Sequence, residues 1–190
     1  NMLLRVLAGL VAATACCGTV EAQTADLACP KAGTIAYTSK GSENKYAGAN
    51  GSDYCPGTVT KKDGTVDRYR VYIPSVAISE HLPQDFAKKL EVSTLWPLQV
   101  GKKIHKHYSG VNQIGIKGAW DVTIEVTKYE TVTVPAGTFQ AFLVTHTQEG
   151  GKYKGVWRFW YVPSLALNVK WDYSDNEGRK DGLEVVKIAQ

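Results

Sequence analysis

Residues Tyr129–Phe139 read Y-E-T-V-T-V-P-A-G-T-F, and Gly155–Pro163 read G-V-W-R-F-W-Y-V-P. Val, Thr and the aromatics favour extended backbone, and a Pro-Ala-Gly triplet between two such runs turns the chain back on itself. Upstream, Trp120, Val122, Ile124 and Val126 alternate with Asp121, Thr123, Glu125 and Thr127, the period of a half-buried strand. This strand is expected to bend near Lys128 and to continue through Val132 and Val134 to the turn.

The rest of the C-terminal half repeats the pattern. Strands are expected over 102–108, 139–147, 153–162 and 165–173, with a last one ending near Ile188. Glu149-Gly150-Gly151, Pro163-Ser164 and Asp175-Asn176-Glu177-Gly178 separate them. Turns this short require antiparallel neighbours, because a parallel partner needs a crossover of a dozen or more residues. Further strands are read at 33–39 and 68–73, and a short amphipathic helix at 83–91, with Leu82, Phe86 and Leu90 on one side. The expected class is mostly β (α+β), a curved antiparallel sheet or half-barrel meander of about seven to nine strands with one short helix.

The two ends of the chain differ in kind. Arg5 followed by the apolar run Val6–Ala15 and small residues up to Ala22 reads as a secretory signal peptide over 1–22. The run is far below the roughly 18–20 apolar residues of a membrane-spanning helix. Ala13-Thr14-Ala15-Cys16 resembles a lipoprotein cleavage box without its usual Leu, so Cys16 is a candidate for lipidation. The alternative, cysteines discarded with the leader, is preferred. Residues 23–190 then form a single β-rich domain, exported to the periplasm or beyond, or held at the outer membrane through a lipidated Cys16. Within it, Cys29 and Cys55 are an isolated pair in an oxidising compartment, read as a disulfide that pins the polar, glycine-rich segment 23–57.

Loss of 1–22 removes Arg5 and Glu21 together and leaves the formal charge at +4. The charge is dispersed apart from Lys61-Lys62 and Lys102-Lys103 with Lys106, which argues against nucleic acid as a partner. No Gly-x-Ser-x-Gly elbow or phosphate loop appears, and no cofactor is called for. His105-x-His107 places two imidazoles on one face of a strand, but Lys103 and Ser109 share that face. The pair is therefore read as solvated and not as a metal site. Asp121 and Glu125 are read the same way, as a solvated polar face.

The parity of the aromatic strand carries the functional expectation. Trp157, Phe159 and Tyr161 share one face, and Val156, Trp160 and Val162 lie around Arg158 on the other. A strand apolar on both sides belongs to a sheet covered on both faces, or to one that curls around a cavity. Plain core is the simpler reading. The sharper one is an apolar pocket lined by Trp120, Trp157, Phe159, Tyr161 and Trp171, with Tyr hydroxyls and Arg158 as polar handles.

The V-P-A-G-T-F turn, the Trp160-Tyr161-Val162-Pro163-Ser164 run and Leu95-Trp96-Pro97-Leu98-Gln99-Val100-Gly101 together resemble motifs of a group of uncharacterised bacterial exported proteins. Such domains are similar to the half-closed sheets of the lipoprotein-carrier superfamily, which wrap around a helix and can hold acyl chains. The resemblance implies an apolar groove. With no catalytic constellation in the residues, the leading expectation is a non-enzymatic envelope protein that binds a lipid or other apolar ligand there. A protein-interaction or structural module of the envelope is the alternative. The motif residues are turn and core residues, so they transfer architecture and little chemistry.

Overall fold

The structure, a computed structural model, describes residues 23–190. The expected signal peptide and Cys16 lie outside the described residues.

The strands are β1 (Thr24–Ala25), β2 (Ile35–Thr38), β3 (Glu43–Tyr46), β4 (Cys55–Thr60), β5 (Val66–Tyr72) and β6 (Val76–Ser79). A helix α1 (Asp85–Leu90) and a 3-10 turn (Val92–Leu95) follow, and then β7 (Leu98–Gln99), β8 (Lys103–Val111), β9 (Lys117–Val134), β10 (Gly137–Gly150), β11 (Tyr153–Val162), β12 (Leu167–Asp175) and β13 (Lys180–Ala189). Eleven strands form one sheet in the order β6-β5-β4-β3-β2-β13-β12-β11-β10-β9-β8, and β1 pairs with β7 apart from it. Every pairing is antiparallel. The class is as expected: mostly β, one short helix, a large antiparallel sheet not closed into a barrel.

There are more strands than the seven to nine expected, and the additional ones are instructive. Glu43–Tyr46 (E-N-K-Y) and Cys55–Thr60 (C-P-G-T-V-T) have no clean alternation of their own. They are extended because neighbours on both sides pair with them, and a sheet overrides weak local preference. The Cys29–Cys55 disulfide joins the loop before β2 to the start of β4, with Cα atoms 5.5 Å apart.

The sheet is strongly bent. In a flat sheet the turn between β5 and β6 would lie at least five strand spacings from β12, roughly 24 Å. Yet Asn168 Nδ2 on β12 donates to the Pro74 carbonyl in that turn at 2.7 Å. The two wings of the sheet therefore face one another. The chain from β6 to β8 crosses between the edges through α1. Phe86 and Leu90 of α1, both fully buried, pack with Tyr108, Ile124, Phe142 and Val144 of β8, β9 and β10 in the main core. The Phe86 and Tyr108 rings meet edge to face at 5.3 Å.

The expected bend near Lys128 is a β-bulge. Val126 pairs with Val144 and Lys128 with Leu143, which leaves Thr127 without an opposite residue. Its hydroxyl donates to the Leu143 carbonyl at 3.1 Å. The extra residue reverses the parity of the strand. Val122, Ile124 and Val126 enter the main core, whereas Val132 and Val134 enter a second cluster with Ala141, Val162, Leu167 and Val169. Beyond the bulge, Val134, a two-residue Pro135-Ala136 loop and Gly137 make the hairpin. Gly137 has φ +144°, a conformation that side chains disfavour. The Ala136 N–H donates to the Val185 carbonyl at 3.2 Å, so the hairpin tip seats on β13 and closes the second cluster.

Candidate functional site

The bent sheet leaves its inner face in two states. Under α1 the face is filled. Away from α1 it opens into a cavity of about 350 Å³ walled by β3 to β6 on one wing, β11 to β13 on the other, and the β8–β9 loop. Trp157 and Phe159 from β11 and Trp171 from β12 line it, facing Val71 of β5 and Ala77 of β6. Register explains the cluster: Phe159 is the direct neighbour of Trp171, and Trp171 of Leu183, so the row continues across three strands.

The other anticipated lining residues lie elsewhere. Tyr161, on the same face as Phe159, is fully buried and meets Trp96 edge to face at 5.4 Å. Burial pushes its phenol well above the ordinary range. Trp120 is buried beneath a separate surface depression, its indole N–H donating to the Gly110 carbonyl at 3.3 Å. A side chain at Gly150 would strike the Trp120 ring at 2.6 Å, which is why the turn closes on glycine there. Arg158 points to the opposite face and pairs with Asp172 at 2.7 Å, directly across β12.

The polar handles come from residues that sequence reasoning passed over. Asn44, Ser75, Gln113 and Asn168 all line the cavity. Asn44 Oδ1, Ser75 Oγ, Gln113 Oε1 and Asn168 Oδ1 are buried with no protein partner. The bond from Asn168 Nδ2 to Pro74 fixes the amide, so Oδ1 is the atom turned free. An orphan polar atom costs about 1–3 kcal/mol when nothing meets it. Four around one cavity, contributed by both wings and the loop between them, mark a space built for a hydrogen-bonding group. No alternation signal could have found them, because they come from two strands, a turn and a hairpin loop. Tyr46 also lines the cavity, and burial pushes its phenol up to about 12.

His146 marks the border between the two states. Its ring stacks on Phe86 at 6.2 Å on the filled side and meets Trp157 at 5.3 Å on the open side. Nδ1 faces the Ser75 carbonyl at 3.5 Å, and Nε2 has no partner. Burial lowers its pKa to about 4, so it is neutral at ordinary pH. No carboxylate or histidine lines the cavity among the described residues. His81 does approach a carboxylate, Asp67, at 3.7 Å, but with its side chain 84% exposed.

No protein-family model and no curated protein sequence matches the chain. Two solved structures resemble it. A protein described as exported, with a YmcC-like fold, from Bacteroides fragilis aligns at 15% identity and TM-score 0.43, covering 87% of this chain and 100% of its own. A protein described as a lipoprotein from Parabacteroides distasonis aligns at 16% identity and TM-score 0.44, covering 88% of this chain and 100% of its own. At these scores the functional reading rests on the residues of this chain.

Proposed function

We propose that this chain is a non-enzymatic envelope protein that carries an amphiphile inside its bent sheet. The apolar part lies on Trp157, Phe159 and Trp171, and the hydrogen-bonding part meets Asn44, Ser75, Gln113 and Asn168. The observation that carries this reading is the cavity itself, about 350 Å³ in volume, lined by aromatic rings and by four unpartnered buried oxygens. Binding sites of small molecules have this size and this mixture of apolar lining with a few placed polar groups. A lipid or a fatty acyl chain with a donor-bearing head satisfies both.

Export is supported by the apolar run Val6–Ala15 and by the Cys29–Cys55 bond, which belongs to an oxidising compartment. Release by cleavage of the leader is the preferred processing and lipidation of Cys16 the alternative, and the mass of the mature N-terminus distinguishes a lipidated chain from one cleaved after Ala22.

The test of the cavity pairs native mass spectrometry of gently purified protein with titration of a fluorescent monoacylglycerol analogue, whose hydroxyls can donate to the free oxygens. A one-to-one complex is expected. Ala77 sits exposed on β6 facing the cavity, so Ala77→Trp fills the space without cutting the core and should abolish binding. A wild-type protein that carries no small molecule and ignores the probe would overturn the reading. In that case a stoichiometric protein partner in a pull-down would favour the interaction module instead.

A further inference from the structure

We propose that the exposed side of β8 and β9 carries a binding site for a divalent transition-metal ion, formed by His105, His107 and Asp121. The site is separate from the cavity and independent of its occupant.

The pairing of the two strands creates it. His107 lies directly opposite Asp121, and His105 opposite Thr123, so four side chains form a square on one face of an edge hairpin. His105 Nε2 is 3.2 Å from Asp121 Oδ1, and His107 Nδ1 is 3.8 Å from Asp121 Oδ2. One ligand atom from each of the three residues lies within 4.8 Å of the others. A tetrahedral ion with bonds of 2.0–2.1 Å holds its ligand atoms roughly 3.4 Å apart, so small rotations of the rings bring the set to that geometry. Thr123 Oγ1 bonds His105 Nδ1 at 2.9 Å. That outer bond fixes the ring and presents Nε2, the arrangement that metal-binding histidines use.

The charges around the square point the same way. The neighbouring carboxylates are neutralised, Glu125 by Lys103 at 3.6 Å and Glu149 by Lys154 at 2.6 Å. Asp121, between them, has no Lys or Arg partner among the described residues. Among the described residues its carboxylate oxygens face the two histidine rings instead. A depression of about 310 Å³ beside His107 and Asp121 gives room for water or an anion as the fourth ligand. Two imidazoles with one carboxylate suit zinc, copper or nickel, whereas calcium and magnesium prefer all-oxygen sets.

Isothermal titration of the tag-free protein with zinc chloride tests this. One ion per chain is expected. His105→Ala, His107→Ala and Asp121→Asn should each weaken it by at least about a hundredfold, and Thr123→Val by roughly tenfold or more. His81→Ala, a substitution at an exposed histidine outside the square, should leave it unchanged. The cobalt-loaded protein should show a tetrahedral visible absorption that the Asp121→Asn protein lacks. Circular dichroism checks that each variant is folded, which the exposure of all three side chains favours. Absence of zinc binding, or binding equally strong in the three ligand variants, would overturn the site.

Discussion

The inner face of the sheet is one surface with two fates. Its β8 to β10 half lies under α1, where Phe86, Leu90, Ile124, Phe142 and Val144 are entirely buried. Its β11 to β13 half carries Trp157, Phe159 and Trp171, equally apolar and only half-buried. Residue type does not separate the halves. What separates them is a single short helix, six residues long, that covers one and stops before the other. Composition thus tells which face is apolar, and the length of one connection decides whether that face is stabilising core or binding surface.

The largest expected contrast lies between two phenylalanines. Phe86→Ala should cost about 3–5 kcal/mol, as for a fully buried aromatic whose cavity cannot collapse. Phe159→Ala should cost about 1 kcal/mol, since the cavity wall loses only part of its contacts. Denaturant unfolding of both variants measures the difference, and equal losses would mean that the open half is packed after all.

His146, on the border, links the halves to pH. Its pKa is about 4 in the folded protein and 6.5 without the fold. The unfolded chain takes up the proton first, so stability is full above about pH 6.5 and falls progressively towards pH 4, by about 3 kcal/mol. In His146→Phe that acid limb should largely disappear from a plot of unfolding free energy against pH. Persistence of the limb would assign it to another group.

Opening the disulfide acts on the far wing. Cys29→Ser combined with Cys55→Ser should lower stability by about 3 kcal/mol through the freed unfolded chain. Because β3 and β4 wall the cavity, binding of the monoacylglycerol probe should weaken in parallel. The smallest effect is expected outside the face altogether. Arg158→Ala removes a half-exposed ion pair with Asp172 and should change stability by no more than about 0.5 kcal/mol. Probe binding should stay at the wild-type level, and any loss would show that the outer face communicates with the cavity.

Much of the scaffold was legible in the chain. The alternation from Trp120 to Val126, the Pro-Ala-Gly hairpin, the helix around Phe86 and the Cys29–Cys55 bond are all local or arithmetical signals. The structure places each where those signals put it. The helix begins at Asp85, two residues after Pro83, and the bend at Lys128 takes the form of the Thr127 bulge. The candidate site was legible only in part. Trp157, Phe159 and Trp171 share a sheet face that alternation reveals, whereas Ser75 and Gln113 sit in a turn and a loop, and Asn168 adjoins Val169, which has no opposite residue on β11.

The sequence by itself determined the strands of the C-terminal half, their alternating faces and the turns between them, because each depends on residues only a few positions apart. Tertiary structure decided the rest. Register set His107 opposite Asp121, joining two features that separately read as solvated polar groups. The bend of the whole sheet brought Ala77 of β6 to the same cavity as Trp157 of β11. Those distances depend on the twist summed over every intervening strand, and on where the chain between β6 and β8 crosses, which no local pattern encodes.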